Sequence, residues 1–198
     1  MADTLTDHVY DVLWKGSERT PQERFYLYAR NLAMLSEYWR AHRQAAGVLH
    51  FCGLGYSRSE EPRGQTSDHW IDIRNLTFEP EFYKYVKPAF SPVGLMIDAW
   101  EKSYPASSRQ SIPVYVVNDL DEPFEKEVTL SILQGEKVVS TYKIKAAAKA
   151  CDVEVIPFEV TFPGEPGDYQ MKAEITVDNT LVFSLRDIPV NKGLGDES

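Results

Sequence analysis

The chain is short of positive charge. Its 198 residues carry 21 Lys and Arg against 30 Asp and Glu, a formal net charge of −9, and the pI is near 5.0. Nothing in that balance offers a footprint for a phosphate backbone, so no nucleic-acid partner is expected. Anionic membrane surfaces are disfavoured for the same reason. Long apolar runs are also missing, and none approaches the roughly 20 residues of a spanning helix. The first residues, MADTLTDHVYD, have neither a basic n-region nor an apolar h-region, and do not read as a signal peptide. Cysteine is scarce. Cys52 and Cys151 are far apart, so there is no disulfide framework and no reading of the redox compartment. Both are read as buried thiols packing as small hydrophobes, with one long-range disulfide as the alternative. There is no Gly-x-Ser-x-Gly, no phosphate loop and no dinucleotide fingerprint, so no cofactor is expected. Internal repeats and low-complexity runs are absent too.

What remains is ordinary globular material. Hydrophobic residues make up 43% and charged residues 26%, enough for a packed core. The length suits one large or two modest domains.

One stretch organises the first half: residues 46–56, AGVLHFCGLGY. It is a short apolar run ending in glycines and aromatic residues. A helical pattern leads into it and a polar loop follows, as in one βα unit of a barrel. The leading helix starts at Thr20-Pro21-Gln22-Glu23. Thr20 can cap the amide three residues on, Glu23 can reach back, and Pro21 stands where its missing N–H costs nothing. Phe25, Tyr28, Leu32, Leu35 and Trp39 then recur at steps of three and four, a broad apolar stripe. The helix is predicted to run to about Gln44, with Arg40 and Arg43 near its negative end. A shorter helix is read over 7–15, closed by Gly16. Residues 47–52 are predicted as a buried parallel strand through Val48, Leu49 and Phe51. A surface loop over 57–66 and the polar-aromatic run 67–72 follow. Another helix starts at Glu79-Pro80-Glu81 and is predicted to reach about Val86. Pro88 and Ser91-Pro92 end it and mark a domain boundary.

Beyond Val93 the period changes from helical to alternating. Strands are predicted over 94–101, 112–118, 127–133, 138–144, 153–162, 169–177 and 181–190. Turn chemistry at 119–123, 134–136, 163–167 and 178–179 separates them. About seven strands in roughly 95 residues is the count of an immunoglobulin-like sandwich, here without that fold's cysteine pair. Residues 192–198 read as a frayed tail.

Few residues suggest chemistry. His50 and Cys52 alternate onto one strand face. Metal binding there would need further ligands, with only Asp68 or His69 on offer, and no metal site is read. A satisfied core histidine, or a residue at the mouth of a barrel strand, are the other readings of His50. Glu60 and Glu61 are neighbours on one loop, whereas glycosidic acid/base pairs face each other across a cleft. Asp119 and Asp121 lack the glycine and glutamate of a calcium loop and read as turn residues. Tyr56 and Trp70 could stack on sugar rings while Asp68 and His69 bind hydroxyls. Trp70 could equally be a core anchor.

The run LAMLSEYWRAHRQAAGVLHFCGLGYS resembles the end of the catalytic barrel of family-two glycoside hydrolases, the β-galactosidase and β-glucuronidase group. There a Tyr-Trp pair ends the helix before the eighth strand. Tyr38-Trp39 and Gly47 match, while His50 stands where that family usually has a tryptophan. GQTSDHW, EPEFYKYVKPAFSPVGLM and IPVYVVNDLDEPF resemble phrases of a branch with an added immunoglobulin-like domain. The resemblance implies an α+β chain: a helical remnant of a (β/α)8 barrel over 1–92, then an immunoglobulin-like antiparallel β-sandwich over 93–191. It implies carbohydrate as the parent enzyme's partner, contacted from His50, Tyr56, Asp68 and Trp70, and an extracytoplasmic location. The family is retaining, and both of its glutamates stand on earlier strands. No catalytic residue is therefore expected in this chain, Met1 is expected to be an engineered start, and the chain alone is expected to be inactive. Without barrel neighbours the apolar helix stripe would need other cover, from the sandwich or from a homodimer. The alternative is a standalone carbohydrate-binding or protein-interaction module.

Overall fold

Capping chemistry starts the first helix where its sequence predicts. The computed structural model describes residues 20–44, 46–49, 69–72 and 75–192. Helix α1 spans Pro21–His42. The Glu23 amide donates to Thr20 Oγ1 at 3.3 Å, and the Thr20 amide donates to Glu23 Oε2 at 2.9 Å. That is the reciprocal box the spacing implies. Arg43 ends the helix in a left-handed conformation, φ 47°, its N–H on the Trp39 carbonyl at 3.2 Å. Helix α2, Pro80–Ala89, is capped by Glu79, whose Oε2 accepts from the Phe82 amide at 2.7 Å. Pro88 lies inside α2, contrary to the expected break. In the last turn its missing N–H removes only one rung, so the helix closes just beyond it. The predicted helix over 7–15, the loop over 57–66 and residues 193–198 lie outside the described residues.

The chain divides into two compact units, Met1–Leu32 with Leu49–Val86, and Ala33–Val48 with Lys87–Ser198. In the first, strands β1 (Trp70–Asp72) and β2 (Thr77–Phe78) form an antiparallel pair. Trp70 stacks on Phe78 at 4.1 Å, and His69 stacks on Phe82 at 4.9 Å. Tyr28 and Tyr26 of α1 meet Phe82 and Tyr85 of α2 at 6.5 and 5.6 Å. Among the described residues of this unit, ring–ring contacts link α1, α2 and the β1–β2 pair.

The second unit holds two sheets around one core. Strands β3 (Val93–Ile97), β5 (Arg109–Asn118) and β8 (Asp152–Thr161) form an antiparallel sheet in the order β3-β5-β8. The other runs β4-β10-β9-β6-β7, from β4 (Tyr104–Pro105), β6 (Phe124–Gln134), β7 (Lys137–Ala148), β9 (Gly167–Val177) and β10 (Thr180–Asn191). The short β4 joins β10 in parallel; the other pairings are antiparallel. Asp178 and Asn179, both at positive φ, make the two-residue turn from β9 to β10. Alternation fills the core: Val114 and Val116 of β5, Phe158 and Val160 of β8, Leu130 and Ile132 of β6, Met171 and Ala173 of β9. The chain is thus of mixed α+β class, and no helix among the described residues is long and apolar enough to cross a membrane.

Two readings need correction. Residues 47–49 form no strand, and Leu49 is 96% exposed; the rest of that predicted strand lies outside the described residues. Cys151 is a free, exposed thiol and not a buried one. It occupies the β7–β8 turn at φ 50°, where its N–H holds the Leu120 carbonyl at 2.8 Å. A tight left-handed turn position keeps a side chain out of the core.

All five residues of β3 are buried, which alternation alone cannot explain. Val93, Leu95 and Ile97 enter the main core, while Met96 forms a second cluster with Ala41 and Val117. The last turns of α1 therefore cover the outer side of β3. Gly94 lies under them: a Cβ there would stand 2.9 Å from Arg40 Nη1. Gly94→Ala is expected to displace Arg40 and cost about 1–3 kcal/mol. Urea unfolding followed by circular dichroism checks this; an unchanged midpoint would contradict the close approach.

Candidate functional site

Within the second unit, the side of the last turns of α1 that meets the sheets is small and polar. Ala33, Ser36, Glu37 and Ala41 are buried, whereas Leu35 is 57% and Trp39 43% exposed. The predicted stripe thus turns outward at its C-terminal end. Glu37 explains the inversion. Its Oε2 accepts from Arg186 Nη2 at 2.9 Å and from Ser184 Oγ at 2.7 Å. All three residues are at most 5% exposed. Ser184 Oγ also accepts the Ile97 amide at 3.2 Å, so one carboxylate links α1, β10 and β3.

A second polar joint closes the end of the helix. Arg40 and Arg43 reach opposite oxygens of Asp119, each at 2.8 Å. Arg40 also donates to the carbonyls of Ala89 and Ser91. Arg43 donates to the carbonyls of Asn118 and Asp152, both at 3.3 Å. Buried Asn118 sets the loop that presents Asp119: its Nδ2 donates to the carbonyls of Glu122 and Lys149, and its Oδ1 accepts the Leu120 amide. Beside this joint lies a cleft of about 350 Å³, bounded by Trp39, Arg40, Arg43, Phe90, Asp119 and residues 46–48. Its one carboxylate is held by two guanidinium groups and faces no second carboxylate across the cleft.

A second cleft, about 650 Å³, lies on the β6–β9–β10 surface and includes Glu127 and Glu174. These two carboxylates are paired to Lys143 and Lys172, and the third, Asp178, sits in the β9–β10 turn. Neither cleft presents the facing acid and nucleophile of a retaining glycosidase. Among the described residues no group of three or more His, Cys, Asp or Glu could hold a metal.

An aromatic patch stands on the far side of Glu37 and Arg186. Trp100 is 48% exposed. Its indole N–H donates to Asp98 Oδ1 at 2.7 Å, and the Arg186 guanidinium lies 4.4 Å from its ring centre. Tyr38 meets it edge-on at 6.0 Å. Tyr38 in turn contacts His42 at 4.2 Å, and His42 contacts Tyr115 at 5.3 Å. His42 Nδ1 donates to the Tyr38 carbonyl, which fixes the ring. Burial pushes the Tyr115 phenol above its ordinary value of 10.0, and Asp98 and Tyr38 push it the same way.

Of the sequence-predicted site residues, His50, Tyr56 and Asp68 lie outside the described residues. Trp70 is 8% exposed and stacked on Phe78, the arrangement of a core anchor. Sequence reasoning missed Glu37, Arg186, Asp119 and Trp100. One signal was available: Ser184 and Arg186 fall on the same alternating face as Val182 and Ile188, so a polar pair was being sent inward. Arg40→Ala should destabilise the unit by about 3 kcal/mol, because it deserts two carbonyls and a carboxylate. Asp119→Ala should cost nearer to about 1 kcal/mol, since that carboxylate is partly solvated. Urea midpoints of the two variants test the order; equal losses would contradict it.

No family model and no curated protein matches the chain. Solved structures that resemble it include a cycloisomaltooligosaccharide glucanotransferase from Paenibacillus sp., at TM-score 0.41 and 19% identity, covering 50% of this chain and 14% of that one. A β-glucosidase from Listeria innocua gives 0.42 and 14%, covering 53% and 17%. The sporulation control protein Spo0M from Bacillus subtilis gives 0.40 and 9%, covering 51% and 49%. The chain is thus similar to short parts of two carbohydrate-acting enzymes and to half of a protein of another kind. Likenesses at that level fix neither fold nor function.

Proposed function

We propose that the chain is the C-terminal portion of a retaining glycoside hydrolase acting on β-glycosides, of the family-two kind. In this reading residues 1–92 are the end of a (β/α)8 barrel and residues 93–191 an immunoglobulin-like sandwich. The parent's location is extracytoplasmic, by analogy with that family. The observation that carries the reading is the orientation of α1. Its small and polar side is taken by the sheets, and Leu35 and Trp39 are left facing out. A helix with large apolar groups opposite an already occupied face is built to lie between two bodies. The outermost helix of a barrel joined to a following domain has that task. Three of the four phrases that carry the resemblance also meet at one place: Arg40 and Arg43, the carbonyls of Ala89 and Ser91, and Asp119.

The acid and the nucleophile are assigned to earlier strands of the parent, so this chain supplies support and not chemistry. Two outcomes follow for the purified chain. It turns over no aryl β-glycoside, while the same frame extended upstream through a Glu-bearing strand does. Alone, it covers Leu35 and Trp39 by forming a homodimer, which Leu35→Ser with Trp39→Ser converts to a monomer. Light scattering against the 22.6 kDa chain mass reads the second outcome. Turnover by the isolated chain, or a wild-type monomer, would contradict the respective halves of the reading.

A further inference from the structure

We propose that Trp100 is the stacking platform of a binding site for a neutral oligosaccharide. The site stands on the second unit's own geometry and does not need the chain to belong to a hydrolase.

The starting point is an expensive feature. Trp100 leaves about half of a large apolar side chain in water. Yet the ring is not loose. Its N–H is held by Asp98, one face lies against Arg186, and its edge meets Tyr38. Arg186 is itself 2% exposed and fixed by Glu37. The covered face is therefore the inner one, and the exposed area belongs to the outer face and rim. A ring already immobilised loses little freedom when a ligand settles on it. Core packing explains the inner face and leaves the outer one without a role.

The surroundings select the ligand. Trp100 is flanked in sequence by Asp98, Glu101 and Lys102, which give the ring a polar rim on that side. Beyond Tyr38 the row continues through His42 to Tyr115. Asp98 has a second oxygen to accept a hydroxyl, and the phenols of Tyr38 and Tyr115 can donate or accept. One flat apolar face with a carboxylate at its edge and phenols along the adjoining row matches a pyranose, which has a C–H face and a hydroxyl rim. The Asp98 carboxylate and the net charge of −9 disfavour uronic or sulfated chains and favour neutral ones.

The test uses the full chain and a panel of neutral hexaoses: gluco-, xylo-, manno- and galacto-configured. Calorimetry should show binding of at least one of them, with Kd on the order of 1 mM or tighter. Bound hexaose should protect Trp100 of the wild type from N-bromosuccinimide oxidation, mapped by mass spectrometry, which needs no variant. Trp100→Ala should weaken binding at least about tenfold, and Trp100→Tyr should restore part of it. Trp39→Ser should abolish self-association while leaving hexaose binding intact, which separates this site from the hydrolase reading. Several outcomes would overturn the assignment. One is no binding across the panel, and another is binding without protection of Trp100. A third is self-association lost on Trp100→Ala with no glycan bound, which would give the patch to a second copy of the chain.

Discussion

A single buried carboxylate decides how the helix meets the sheets. Glu37 sits in the middle of an apolar stretch of α1, and removing its charge from water is costly unless it is paired. Arg186 and Ser184 provide that pairing from β10. Once they do, the rotation of α1 about its axis is set. Ala33 and Ala41, one turn either side, are small enough to let the backbone approach, and Gly94 leaves room for Arg40. Everything large and apolar on the opposite side is then turned outward.

That constraint also shows where sequence reading succeeds and where it stops. Six of the seven longer strands of the second unit were legible because alternation and turn residues agree, as in Met171, Ala173 and Ile175 followed by Asp178-Asn179; β3, buried at every position, ends at Ile97 and not at the predicted 101. The start of α1 was legible because Thr20 and Glu23 are close in sequence and need nothing else. Its buried face was not. The stripe of Leu32, Leu35 and Trp39 outweighs Glu37 in any periodic count, and the decisive partner lies 149 residues away. The short strands β1, β2 and β4 are too brief to show a period. Asp119 looked like turn chemistry, and it is that, but it also receives two arginines from a distant helix.

The same arrangement connects structure to the candidate sites. Arg186 is shared between the buried pair and the underside of Trp100, so the element that docks the helix also stiffens the exposed indole. Tyr38 touches both Trp39 and Trp100 edge-on, at 5.7 and 6.0 Å. The outward apolar side of α1 and the aromatic patch are therefore neighbours with different characters. One is aliphatic and indole surface beside an arginine-bound cleft. The other is an indole held by a carboxylate and a guanidinium, with Tyr38 against it.

The most direct test of the docking is a double-mutant cycle on the buried pair. Glu37→Met, Arg186→Met and the double variant would be compared by urea unfolding. If the pair is buried as described, each single substitution costs about 3–5 kcal/mol. The double variant should then cost far less than the two losses added, because it leaves no charge stranded. Small losses that add to within about 0.5 kcal/mol would mean that Glu37 and Arg186 are independent. In that case the polar side of α1 faces water, and the inverted helix is wrong.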